Sequence, residues 1–138
     1  MSVRRGLTQA ERDFLYEPRF AVLGTTNDSG SAHLTVMWYV LEGDEIMFNT
    51  AVGRQKPRNL VRDPRASLLV PDGYRFVRVE GTVRANEDQA AAQADIRNLA
   101  FRYYQSEERV QRSVNATWAK QHRITYRMRV LRVYSDGF

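Results

Sequence analysis

Residues 49–67, NTAVGRQKPRNLVRDPRAS, set Thr50, Arg54 and Lys56 close together and follow them with Arg58, Arg62 and Arg65. A hydroxyl donor, a forked guanidinium and a point-charge ammonium are the groups that hold an oxyanion. Gly53 can take a positive φ and turn the chain before Arg54. In an extended segment the side chains at i and i+2 point the same way, so Thr50, Arg54 and Lys56 can converge on one phosphate. Lys56 also heads the stretch KPRNLVR, with Pro57 in its first turn, and a helical turn there adds free N–H groups and a positive dipole end. A basic loop kept in water between two strands is the plainer alternative, and a nucleic-acid contact is a third.

The composition narrows the chemistry. The chain has 138 residues and a formal net charge of +5, and all its cationic residues except Lys56 and Lys120 are arginine. That charge admits an anionic partner. Basic residues run from Arg4 to Arg132 with acids interspersed, so charge alone does not indicate nucleic acid. With no cysteine and two isolated histidines, His33 and His122, thiolate nucleophiles, disulfides and zinc fingers are excluded, and no metal site is expected. No stretch approaches the ~20 apolar residues of a membrane span, and the first residues lack the apolar core of a signal peptide. A single cytoplasmic domain over 1–138 is the expectation.

The elements that must carry the basic segment are legible from periodicity. Thr8 and Glu11 fit a capping box, which predicts a helix over about 8–16 that Pro18 stops. Strands are predicted at 20–26, 32–42, 45–50, 65–71 and 74–85, separated by turn sequences such as NDSG and PDG. In 32–42 the alternation puts Ala32, Leu34, Val36, Trp38 and Val40 on one face and His33, Thr35, Met37, Tyr39 and Leu41 on the other. Neither face is polar, so something besides water is expected to cover the second one. Ala92, Ile96, Leu99 and Tyr103 recur at helical spacing, Val110, Val114 and Trp118 mark a second helix over about 106–120, and 123–135 reads as a long last strand. Short strands with helices collected late describe an α+β fold, mainly β, around a closed antiparallel sheet.

The stretches AHLTVMWY, FNTAVGRQKPRNLVRDPRASLLV and RVEGTVR occur in the order and spacing of the flavin-binding split-barrel family related to pyridoxamine 5′-phosphate oxidase. Within that family the chain most resembles the branch that uses the deazaflavin coenzyme F420. The likeness runs from about Phe14 to Tyr134. It implies a six-stranded antiparallel split β-barrel with peripheral helices, forming a homodimer with cofactor grooves between the subunits. It implies that Thr50, Arg54 and Lys56 hold the cofactor phosphate, with Asn49, Gln55 and Arg58 as further cofactor-binding residues, and that Val36, Met37 and Trp38 lie against the ring. Asn59, after the lysine, would fix the turn. The implied activity is an oxidoreductase passing a hydride between the deazaflavin and a small unsaturated or quinone-like substrate. FMN in the same barrel and a non-catalytic flavin or deazaflavin carrier are the alternatives. A true pyridoxamine phosphate oxidase is disfavoured, because the chain stops at SDGF without a substrate-gripping extension.

Overall fold

The fold, taken from a computed structural model, is described for residues 3–138. In chain order the elements are β1 (Val3–Arg4), α1 (Gln9–Tyr16), β2 (Ala21–Thr26), β3 (Ala32–Met37), β4 (Val40–Glu42), β5 (Glu45–Ala51), α2 (Gln55–Arg62), β6 (Arg65–Asp72), β7 (Arg75–Asn86), α3 (Gln89–Tyr104), α4 (Glu107–Ala116), a 3₁₀ turn (Trp118–Lys120) and β8 (Arg123–Asp136). The predicted capping box is present: Thr8 Oγ1 accepts from the Glu11 N–H, and the Thr8 N–H donates to the Glu11 carboxylate. Thr8 and Glu11 thus satisfy each other's orphan donors and start α1.

The strands are antiparallel in the order β3-β2-β6-β7-β8-β5-β4, with β1 added along β8. Among the described residues eight strands build the sheet, against the six expected, and it is not closed, because β3 and β4 end the path without pairing. These two ends are neighbours in sequence. The single strand expected over 32–42 breaks at Trp38 and Tyr39, its first half pairing with β2 and its second with β5. Backbone hydrogen bonding gives the reason. The Tyr39 N–H donates to the Tyr103 hydroxyl (3.1 Å), and the Tyr39 carbonyl accepts from Arg102 Nε (2.9 Å). With both backbone groups answered by α3 side chains, Tyr39 has no need of a neighbouring strand.

The core lies inside the curved sheet, where Leu23, Ile46, Phe48, Leu68, Val77, Val79, Met128 and Val133 meet Phe14 and Leu15 of α1. Along β7 burial alternates, with Val77 and Val79 turned into the core. A register shift between Glu80 and Gly81 then bulges the strand against β8. Outside this core, Ala100, Val110 and Val114 form a satellite cluster with Trp38, Tyr104 and Trp118 packed against it. The outer face of β3 is exposed and apolar, with Leu34 at 65% and Val36 at 68% of full exposure. No helix among the described residues is long and apolar enough to cross a membrane.

Candidate functional site

β5 ends at Ala51, Gly53 turns the chain with φ 95°, and Arg54 becomes the N-cap of α2. The KPRNLVR stretch is therefore helical through its length, and Lys56 lies in its first turn rather than in extended chain. Arg54 supplies no side-chain cap, so the N–H groups of Gln55 and Lys56, ahead of Pro57, have no partner within α2. The Arg58 guanidinium folds back on the carbonyls of Gly53 (3.0 Å) and Arg54 (3.4 Å), which braces the turn. Gln55 donates to Asn59 Oδ1 (2.8 Å), and Asn59 donates to Thr25 and Asn27. Asn59, fully buried, ties α2 to β2 and to the turn that follows it.

Between this helix and α3 runs a groove of ≈ 300 Å³. One end is cationic, formed by Arg54, Lys56, Asn49 and Arg123. Lys56 is 9% exposed and Arg123 only 4%. Among the described residues no carboxylate comes within ion-pair distance of Arg54, Lys56 or Arg123. Burial lowers the Lys56 ammonium below the usual lysine range, and the positive charges of Arg54 and Arg123 lower it further. Burial, and then Arg54, pull the Arg123 guanidinium down to about 10. Cations that repel one another in a partly dry pocket are stabilised by an anion placed among them.

Arg123 is held for this position. Its Nε donates to Asn49 Oδ1 (2.9 Å) and its Nη1 to the Gln121 side chain. Asn49 is anchored in turn, donating to the Ala92 carbonyl (3.0 Å) and to Thr125 Oγ1 (3.0 Å), which donates to Asp95 (2.8 Å). The opposite end of the groove is apolar, lined by Phe20, Met37, Trp38, Ile96, Leu99 and Trp118. Tyr103 stacks between Phe20 (5.9 Å, 14°) and Trp38 (5.1 Å, 12°), and its hydroxyl donates to the Arg19 carbonyl (2.6 Å). Phe20 nevertheless remains 62% exposed, so ring surface is left for a ligand.

Of the residues singled out from sequence, Val36, Met37, Trp38, Asn49, Arg54 and Lys56 line this one groove. Thr50, Gln55 and Arg58 do not. Thr50 shares the inward face of β5 with Ile46 and Phe48, one residue out of phase with Asn49, and its buried hydroxyl has no partner among the described residues. The structure thus brings Arg54 and Lys56 together with Asn49 and Arg123, and not with the Thr50 hydroxyl. Sequence gave no local sign of Arg123, because only the pairing of Ala51 with Arg123 across β5 and β8 brings it beside the loop. Phe20 and Trp118 were missed as groove residues for the same reason.

An open antiparallel barrel with a groove at its side, lined by cations and by aromatic rings, is a split barrel. The chain belongs to the pyridoxamine 5′-phosphate oxidase family, whose model matches residues 7–130. Among solved structures it is similar to an F420 reductase, at 24% identity and a TM-score of 0.78 over 93% of this chain and 98% of that one. It is also similar to the conserved hypothetical protein Rv2991 from Mycobacterium tuberculosis, at 30% identity and a TM-score of 0.75, over 95% of this chain and 85% of the other. The heme storage protein HutZ from Vibrio cholerae shares the fold at 13% identity, a TM-score of 0.69 and 96% coverage of both chains.

Proposed function

We propose that the protein is an oxidoreductase that binds coenzyme F420, with FMN as the alternative cofactor. The observation that carries this reading is the meeting of Arg54, Lys56 and Arg123, without a neighbouring carboxylate, at one end of a groove whose other end is walled by rings. These residues fit the group: the cations and the uncapped N–H groups of α2 would take its phosphate, and Val36, Met37, Trp38 and Phe20 would flank its ring. When bound in reduced form, the deazaflavin supplies a hydride to an unsaturated or quinone-like organic substrate. The chain's own part is to bind, to orient and to exclude water. Phe20, Trp38, Trp118, Ile96 and Leu99 provide a dry wall, and Asn49 and Gln121 hold the Arg123 fork in place.

We include a second copy of the chain as partner. The exposed Leu34 lines a hollow of ≈ 660 Å³ on the outer sheet face with Gly24, Ala32, Ser67 and Leu131, and the exposed Val36, next on the same row, lines the groove. A homodimer through this face would cover the apolar strand and extend the groove wall. The likeness to an F420 reductase supports the deazaflavin over FMN, and the exposed Arg58 beside Arg54 suits an acidic cofactor tail.

Titration of the purified protein with F420 and with FMN tests the reading. Micromolar affinity for the deazaflavin is expected, and Lys56→Ala or Arg123→Ala should each weaken it by about 1.5–3 kcal/mol, the loss of a charge-assisted contact. Unchanged dissociation constants in both variants would overturn it. Consumption of reduced F420 with a panel of enones and quinones identifies the enzyme, whereas tight binding with no oxidation leaves the carrier.

A further inference from the structure

One short turn delivers both poles of the groove. Residues 118–123 carry Trp118, part of the ring wall, and Arg123, the deepest cation. Two glutamines of α3, four residues apart and so on one helix face, grip that turn. Gln89 makes a two-way bond with the Arg123 backbone: its Oε1 accepts from the N–H (2.9 Å) and its Nε2 donates to the carbonyl (2.8 Å). Gln93 Nε2 donates to the carbonyls of Trp118 (2.8 Å) and Gln121 (3.1 Å). Gln121 in turn accepts from the Arg123 guanidinium, so the Gln93 amide acts at both ends of the turn.

The segment meets the sheet at its far end, where the Val52 N–H donates to the His122 carbonyl (2.8 Å) and Arg123 pairs with Ala51. No residue of 107–120 is part of the main core, and Val110 and Val114 pack with Ala100 in the satellite cluster. The Trp118 ring meets Trp38 edge-on at 6.1 Å. A helix-to-strand connection normally answers its carbonyls with its own backbone or with water. Here the Trp118 carbonyl accepts both the Gln121 N–H (3.0 Å) and the Gln93 side chain, and the Gln121 carbonyl accepts Gln93 as well, so a neighbouring helix holds the turn between Trp118 and Arg123.

We infer that Gln93, supported by Gln89, is a positioning residue that sets the distance between the anion-binding end and the ring-binding end, and so selects ligands carrying both groups at that spacing. The inference rests on the binding role proposed for the groove, yet one arm of its test does not need a cofactor. The chain has two tryptophans, so Trp38→Phe leaves Trp118 as sole reporter. Adding Gln93→Met, which keeps the stem and removes the donor, should move Trp118 emission to longer wavelength and raise its acrylamide quenching about twofold. Gln93→Lys, which restores a donor, should reverse both changes. Should Gln93→Met fail to fold, Gln93→Glu, which presents oxygens to the same carbonyls, replaces it with the same expectation.

In the Trp38 protein, Gln93→Met should weaken the bipolar ligand that the wild type binds, F420 or FMN, about tenfold, the scale of one or two lost hydrogen bonds. Inorganic pyrophosphate, which reaches only the cationic end, should change by less than about twofold. Unaltered Trp118 emission and quenching would overturn the inference, as would equal weakening of pyrophosphate and the bipolar ligand. If the wild type binds neither F420 nor FMN, the proposed function falls while the tryptophan arm still decides the role of Gln93.

Discussion

Buried charge is handled in two opposite ways in this molecule. Lys56 and Arg123 are buried among other cations, an electrostatic cost that an anion placed among them would relieve. Glu11 is the reverse. It is fully enclosed, and burial pushes its carboxyl up, but hydrogen bonds from Arg4, Ser135 and the Thr8 N–H outweigh burial and hold it at about 2. Because this folded value lies below the unfolded one, the native state binds fewer protons, and the stabilisation is complete above about pH 4.5 and is lost as pH falls toward about 2. Denaturant unfolding followed from pH 6 to pH 2 should show a loss of at most roughly 3 kcal/mol from this group, absent in Glu11→Gln. An identical acid slope in the variant would refute the assignment. Glu11 was legible as half of a capping box; its ion pair with Arg4, brought in by β1, was not, since nothing local links residues 4 and 11.

Among the elements, those with strong local signals are present as expected: α1 from its cap, α3 where Ile96, Leu99 and Tyr103 recur at helical spacing, and β8 as the long last strand. The departures are tertiary in origin. The break at Trp38–Tyr39 depends on Arg102 and Tyr103, more than sixty residues away. The predicted helix over 106–120 stops at Ala116 and continues as a 3₁₀ turn, in which the Trp118 carbonyl is claimed by Gln93. In the quoted VEG, Gly81 sits at a bulge where an added Cβ would lie 1.8 Å from the Arg129 carbonyl oxygen. Gly81→Ala must therefore push β7 away from β8, the central pairing of the sheet. A loss of more than about 3 kcal/mol in chemical denaturation, or failure to fold, is expected. Wild-type stability would show that the bulge yields freely.

For the whole molecule, the two-faced character read from 32–42 has its counterpart in the outward row Ala32, Leu34 and Val36, open to water in the isolated chain. The candidate site was half legible: the basic segment and β3 announced themselves by residue type, while Arg123, Phe20 and Trp118 arrive only through strand pairing and helix packing. If a second copy covers the exposed row, Val36→Glu places a charge in the contact. Sedimentation should then report monomer where the wild type is a dimer, with weakened cofactor binding. A wild type that sediments as a monomer at high concentration removes the proposed partner. The gap between β3 and β4 has a consequence for how the barrel holds together. Where another barrel would zip its last two strands, this one is latched by a phenol and a guanidinium borrowed from a helix. Lifting that helix therefore unfastens the seam and dismantles the ring-lined wall of the groove in one event, so neither can come apart alone.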